Sequence, residues 1–542
     1  MSHLKNKQMA FDDLSAVEKD HLLTAIKRGA TRRDVLKMMG ALGVTSAAAG
    51  TGIFGAAKDA WAQTPKKGGR LVIAHDQHGP NDTLDPQLYT STIDYTRGRM
   101  FYGSLVRLGP DLVPQPELAE AFEVSSDGLT WTFDIRKGVT FHDGSTMGPD
   151  DVVWTMSRHL GKDSKSKAGS LVEYVTEWKK SGPNQVQAIL ESPNVDLPTI
   201  LGTFHFKILK KDTTDFSKTV GTGPYRIKEF KPGVRSIGTP FEDYWGEGGY
   251  LDEIEMFGIG DPVARLNAFL NGDIQVMGNV TSKAIPQIES ADGREIFSVP
   301  SGAYINIAAR RDMAPGNNND LVLALKHLMD RERVVKGVLK GQGGLGNDQP
   351  IGPAYSDHCP DIPQRALDPE KAKFHLKKSG HTGPLEIVAA EVSPGAVEQT
   401  LFLQREAKKI GLDVQVKKVT TDGYWGAVWL KAPMCVVAWN MRPTANVMMT
   451  LAFKGDAAWN ETFYKSDKFD DLLVKSRAVT DPGPRKQMYC DMQEIIHNEY
   501  GCILPAHRNY VDAIHSNVKG IPKVPLNAFG GAELPVGVWI DS

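Results

Sequence analysis

The sequence is short of cysteine, nearly free of net charge, and has no long apolar run beyond its first sixty residues. Four Cys among 542 residues, none in a CxxC pair, exclude a disulfide-dense scaffold and a Cys-based zinc site. With 63 Lys and Arg against 65 Asp and Glu the formal charge is −2, so there is no generally basic surface for nucleic acid. No Gly-x-Ser-x-Gly, HExxH or Walker pattern occurs, leaving hydrolysis without a visible nucleophile, metal or phosphate cradle. What is present is ordinary for a large soluble protein: 41% hydrophobic and 24% charged residues, with 53 Gly and 32 Pro spread without period. The length suits roughly two to four structural units.

Residues 1–62 read as an address. A polar start ends in Thr31-Arg32-Arg33-Asp34-Val35-Leu36-Lys37, and Met38 to Ala57 carries no charge. Ala60-Trp61-Ala62 then offers the small residues a signal peptidase needs, before Gln63. Paired arginines ahead of a weakly hydrophobic stretch resemble the twin-arginine signal in particular. About twenty uncharged residues can span a bilayer, but this stretch is rich in Gly and Ala rather than Leu, Ile and Phe, so cleavage is the expectation. The leader holds nine Lys and Arg against six Asp and Glu, leaving about −5 on the rest. Export also opens a bridge to Cys359, Cys435, Cys490 and Cys502. Because the stretch from 490 looks helical through about Tyr500, which separates the sulfurs of Cys490 and Cys502, free buried thiols are expected.

Along the exported chain, Arg70 to Ala74 reads as a strand and 93–106 as a helix. Ala121 to Val124 and Thr130 to Ile135 read as strands joined by a turn at Ser126-Asp127-Gly128. Gly148-Pro149-Asp150-Asp151 starts a helix, strands recur near 185–190, 224–230 and 251–257, and a helix over 262–271 stops at Asn271-Gly272. The second half alternates: helices at 320–340, 370–378, 395–410, 467–477 and 484–499, with strands at Leu385 to Ala389, Leu412 to Val419 and Cys435 to Trp439. That alternation predicts an α/β lobe with a largely parallel sheet. Two lobes of different texture, joined near 303–310, are the simplest architecture.

Several motifs in this order resemble the large periplasmic solute-binding proteins of peptide-type (dipeptide, oligopeptide, nickel) ABC importers. They are Leu118 to Val124, Asp127-Gly128-Leu129-Thr130-Trp131-Thr132-Phe133, Arg136 to Val139 and Phe141-His142-Asp143-Gly144. Gly221-Thr222-Gly223-Pro224-Tyr225, Asp243-Tyr244-Trp245-Gly246 and Tyr250 to Ile254 continue the set. Ala324-Leu325 to Asp330-Arg331, Asp368-Pro369-Glu370-Lys371-Ala372, Phe469-Asp470 and Ile503-Leu504-Pro505 complete it. The resemblance implies an α/β, two-lobed periplasmic binding protein fold of the large peptide-binding type, with an extra subdomain inserted in the first lobe. Lobe I then takes 63–107, 220–305 and 506–542, the inserted subdomain 108–219, and lobe II 306–505. It implies a periplasmic monomer without catalysis, cofactor or metal, which closes on a small peptide-like or acidic solute and serves a membrane-embedded ABC permease.

In peptide-binding members the second lobe carries a Trp and, three residues on, an Asp that pairs with the peptide ammonium. Here the stretch is Trp439-Asn440-Met441-Arg442: the Trp matches and an arginine replaces the acid. A guanidinium at this position repels an ammonium and favours a carboxylate, sulfate or phosphate; the alternative is that Arg442 turns to the rim and pairs with an acid such as Asp422. Tyr424 and Trp425 offer flat apolar faces, while Trp429 suits core packing as well as a site. Tyr304 and Tyr89 match regions that line pockets in the family, and His507 with Arg508 fits the hinge. Gly341-Gln342-Gly343-Gly344-Leu345-Gly346 spells GxGxxG, but a helical stretch precedes it and Asn347-Asp348-Gln349-Pro350 follows, so a flexible loop rather than a dinucleotide cradle is predicted. His75 and His78 lack a third ligand nearby for a metal. A sugar conjugate, opine or metal chelate is the alternative cargo, and a periplasmic oxidoreductase the alternative class.

Overall fold

The computed structural model describes residues 64–218 and 220–541; the proposed leader lies outside them. The chain opens with β1 (Arg70–His75), followed by the helix Thr92–Phe101 and a small ribbon of β2 (Val106–Leu108) and β3 (Pro114–Pro116). A separate antiparallel sheet follows, made of β4 (Ala119–Val124), β5 (Thr130–Ile135), β6 (Val175–Gly182) and β7 (Gln185–Leu190) in the order β4-β5-β7-β6. Its alternating inward residues, Trp131, Phe133 and Ile135 against Val186, Ala188 and Leu190, form a core of their own. Then come β8 (Tyr225–Lys231), β9 (Arg235–Pro240), β10 (Glu253–Gly258) and β11 (Val276–Met277). Between β10 and β11 runs the helix Pro262–Asn271, capped by the Asp261 carboxylate and stopped by Gly272 at φ 88°.

Two long strands join the halves: β12 (Arg294–Ala309) and β17 (Cys502–His515) pair antiparallel over almost their whole length. Between them in sequence lie β13 (Gly343–Leu345), β14 (Leu385–Ala389), β15 (Val414–Lys418) and β16 (Met434–Trp439); the ribbon β18 (Val518–Lys519) with β19 (Trp539–Ile540) closes the chain. Among the described residues these make an eleven-stranded sheet ordered β15-β14-β16-β12-β17-β11-β1-β10-β9-β8, with β13 on the side of β17. The fold is two-lobed and mixed α/β. One lobe is built on β11-β1-β10-β9-β8 and the other on β15-β14-β16, while β12 and β17 run through both. Register shifts between Val299 and Ala303 and between Ile305 and Ile307 interrupt the β12–β17 ladder where it crosses from one to the other.

Four expectations need correction. The second lobe is mixed rather than largely parallel: β14 pairs parallel with β15 and β16, but β16–β12, β12–β17 and β13–β17 are antiparallel. The helix expected over 320–340 breaks after Asn319–Leu328, because the Asp330 carboxylate accepts from Arg333 N–H and starts a new turn. The segment 341–346 is not a free loop; Gly343–Leu345 lies on β17, and a Cβ at Gly343 would stand 2.5 Å from the His507 carbonyl oxygen. Finally, Cys359 and Cys490 form a disulfide, while Cys435 and Cys502 are free and buried. The helix Pro482–Glu499 does separate Cys490 from Cys502, but it presents Cys490 to a loop 131 residues away in sequence, whose Cys359 N–H donates to Gln493 of the same helix at 3.0 Å.

Candidate ligand-binding cleft

A cleft of about 750 Å³ opens between the lobes. The first lobe contributes the end of β1 (Asp76, Gln77), Tyr95 from the helix Thr92–Phe101, Arg265 from the helix Pro262–Asn271, and Asn279 with Thr281 after β11. The second lobe contributes Glu391 and Ser393 after β14, Trp425, and Ala438 with Asn440 at the end of β16. The floor is the hinge strand, where Arg508, Asn509 and Tyr510 of β17 face the space just beside the first register shift.

Most charged groups on the walls are already engaged. Asp76 lies 2.7 Å from His75 Nδ1 and accepts from Asn279 Nδ2 at 2.7 Å. Burial works to raise its carboxyl, but the bonds to His75 and Asn279 and the charge of Arg265 outweigh that and hold it at about 2. Arg265 donates to the carbonyls of Ile259, Gly260 and Asn279. Glu391 accepts from the N–H groups of Gly395 and Val397 at the start of the helix Ala396–Lys409. Asp512, one turn of pleat beyond Tyr510, is pushed up to about 6 by burial, against the pull of N–H groups of Phe529 and Asn279.

The residues singled out from sequence fall into two groups. Asn440 and the exposed Trp425 line the cleft, Trp425 edge-on to Trp429 at 5.6 Å. Arg442, two residues past Asn440, is half-buried behind the residues that line the cleft. Its N–H donates to the Tyr355 hydroxyl at 3.0 Å and its guanidinium lies 5.7 Å over the Trp439 ring. Arg442 Nε is shielded without a hydrogen-bond partner, and among the described residues Arg442 makes no ion pair, with Asp422 or any other acid. Its field reaches Tyr95, Tyr510 and His205.

The second group lies behind the walls. Trp439 is buried, and its Nε1, together with that of Trp429, donates to Glu461 at 3.1 and 3.0 Å. Met441 is buried, with the Gly302 N–H 3.0 Å from its sulfur. The hydroxyl of buried Tyr424 lies 2.9 Å from the Val436 carbonyl oxygen and 3.2 Å from that of Val388. Tyr304 is buried with its hydroxyl toward Met448 and its ring edge-on to His507 at 6.2 Å. Burial holds His507 neutral, at about 4. Tyr89 is buried under Tyr95, ring to ring at 6.3 Å. His75, at the cleft wall, packs on Phe529, and His78 meets the Gly233 carbonyl; among the described residues no group of three or more His, Cys, Asp or Glu is placed to hold a metal.

Sequence reading missed Tyr95, Asp76, Asn279 and Tyr510. The last had a signal: Arg508 and Tyr510 are two apart on a strand and share a face. Pro505 and the polar run after it concealed that strand.

The model for bacterial extracellular solute-binding proteins, family 5 middle region, matches residues 113–461. The chain is 26% identical over 503 residues to the dipeptide-binding protein of Escherichia coli K12, covering 84% of this chain and 92% of the relative. It is 26% identical over 479 residues to heme-binding protein A of Haemophilus influenzae, covering 79% and 84%. The periplasmic binding protein DppA of Helicobacter pylori, solved with the peptide STSA, shares the fold with a TM-score of 0.73 at 24% identity, over 88% of this chain and 99% of that one.

Proposed function

Because the chain belongs to the bacterial extracellular solute-binding proteins of family 5, the periplasmic capture components of ABC importers, we propose that its cleft selects an acidic solute. The cargo is peptide-like or amino-acid-derived. The lobes, flexing on β12 and β17, close over it, exclude water and present the closed form to a membrane permease, which receives the solute unchanged. The protein acts as a monomer, exported by a twin-arginine leader and divided into lobe I (63–107, 220–305, 506–542), inserted subdomain (108–219) and lobe II (306–505).

One observation carries the choice of an acidic cargo. At the position where the resemblance implies an acid for the peptide ammonium, this chain has Arg442, whose Nε is shielded and unpartnered. A shielded N–H without an acceptor leaves about 1–3 kcal/mol unrecovered, which an anionic ligand would return. Relatives named for a dipeptide and for heme are both 26% identical to this chain, so the cargo is identified by experiment. Mass spectrometry of solute released from protein purified without denaturation identifies it. Arg442→Ala is expected to weaken its binding at least tenfold; unchanged affinity removes Arg442 from the site.

A further inference from the structure

The floor of the cleft carries a cation that the protein leaves unmatched. Arginines in the interior have carboxylates: Arg97 has Asp82 and Asp94, Arg99 has Glu117 and Glu533, and Arg331 and Arg365 share Asp348. Arg265, the other arginine lining the cleft, gives its N–H groups to the carbonyls of Ile259, Gly260 and Asn279. Arg508 lines the same cleft, half-buried, with its Nε shielded and without an acceptor. Among the described residues its guanidinium makes no ion pair and no hydrogen bond.

The surroundings explain why the charge stays free. Across the sheet Arg508 pairs with Ala303 on β12 and Gly343 on β13, neither of which has a side chain able to offer an oxygen. Alternation along β17 puts Tyr510 and Asp512 on the face that carries Arg508. Asp512 is occupied, since its carboxylate accepts the N–H groups of Phe529 and Asn279. Asp76 and Glu391, the carboxylates lining the cleft, are held by Asn279 and by the N–H groups of Gly395 and Val397. Tyr510 is left. It lines the cleft next to Arg508 on that face, and its hydroxyl oxygen is shielded without a hydrogen-bond partner. Burial disfavours loss of the phenol proton, so the group is a donor. One cleft thus holds, side by side on one strand, a guanidinium and a phenol that both lack acceptors.

From this we infer that Arg508 and Tyr510 form the subsite for a carboxylate of the solute, with the guanidinium fork on its two oxygens and the phenol donating to one of them. A planar carboxylate matches that fork in bidentate fashion, and its single charge equals the single charge of Arg508. The inference rests on the acidic-solute reading and deepens it: it adds to Arg442 an anchor that lines the cleft itself. Because β17 runs through both lobes, this anchor stands at the hinge rather than on either closing wall.

The test uses solute released from the native protein and added back to the ligand-free protein in two forms, untreated and with its carboxylates converted to methylamides. By titration calorimetry the parent protein should bind the untreated form more tightly by about tenfold or more. Arg508→Gln should abolish that preference, Arg508→Lys should keep part of it, and Tyr510→Phe should reduce it by about threefold. A purely structural arginine would weaken both forms alike and leave their ratio unchanged, which overturns the inference. A second readout needs no altered protein beyond assignment: the Nε–Hε resonance of Arg508, identified by its absence in Arg508→Lys, should shift on adding untreated solute and not on adding the methylamide. A resonance that stays in place with both overturns the inference. An acidic solute whose affinity falls with Arg442→Ala and not with Arg508→Gln overturns it while leaving the acidic-solute reading intact, as does a solute whose acid is phosphoryl or sulfate. A neutral or cationic solute overturns both.

Discussion

Around Asp348 two buried arginines share one carboxylate, whereas at the hinge two arginines have none. Asp348 is fully buried; Arg331 approaches it at 2.6 Å, Arg365 at 2.5 Å, and its second oxygen accepts the Leu504 N–H at 3.0 Å. Burial acts to raise its carboxyl, and the two guanidiniums override this and hold it far below the usual range. That network joins the turn after β13 to the helix Pro482–Glu499 and to β17, and both of its guanidiniums have a carboxylate of the protein's own. Arg442, just past β16, and Arg508, on β17, have no carboxylate partner. The contrast teaches how to separate scaffold charges from working charges: the former are buried with a counter-charge, the latter half-buried without one.

The sharpest way to break the comparison is on the paired side. Asp348→Asn strands two guanidiniums in the interior and should cost about 3–5 kcal/mol of stability. The calorimetric unfolding midpoint should fall clearly while the solute affinity of the folded fraction stays the same. An affinity loss as large as the stability loss would show that the network also serves the cleft.

Next in size is the disulfide, which reinforces the same side of the molecule. Removing it with Cys359→Ser and Cys490→Ser together should lower unfolding stability by about 2–4 kcal/mol. Reductant should then have no further effect on the midpoint, whereas it should lower that of the parent protein. The loop released also carries Tyr355, whose hydroxyl holds the Arg442 N–H, so a modest loss of affinity should accompany it.

On the unpaired side the expected sign is reversed. Arg508→Gln removes a partly buried charge that has no partner, so the ligand-free protein should be as stable as the parent or more stable by about 1 kcal/mol. Urea unfolding with and without solute separates the two effects. If ligand-free Arg508→Gln loses as much as Asp348→Asn, the guanidinium is structural and the comparison collapses.

How much of this was legible follows from where each signal lives. Helix starts were readable because capping is local: Asp261-Pro262 and Asp368-Pro369 announce their helices within two residues. The exchange of an acid for Arg442 was readable because it sits beside a recognisable Trp439. The two strands that bind the lobes together were not. β12 and β17 are long, carry Pro300 and Pro505, and mix apolar with polar residues because different stretches meet a core, a hinge and a cleft. Neither an alternating nor an all-apolar pattern survives that change of surroundings. The Cys359–Cys490 bridge depends on a contact 131 residues apart in sequence, which no local spacing records.

The smallest effect concerns titration on the hinge strand, and its sign can be worked out. Burial lowers His507 to about 4, from an ordinary value near 6.5. The folded state therefore keeps the ring neutral, so its contribution is complete above about pH 6.5 and is lost as pH falls toward 4. Five residues on, Asp512 is raised to about 6 by burial, so its contribution runs the other way: it is present at low pH and fades as pH rises from about 4 through 6. On one strand the two slopes oppose each other. His507→Gln should flatten the loss of stability between pH 7 and 5.5 by about 1 kcal/mol, measured as the pH dependence of urea unfolding without solute. Asp512→Asn should steepen it by removing the opposing slope. Neither substitution changes Arg508 or Tyr510, so solute affinity at pH 7 should persist in both. Its loss in His507→Gln would mean that the imidazole, wedged between Tyr304 and the strand that carries Arg508, positions the guanidinium rather than merely filling the core behind it.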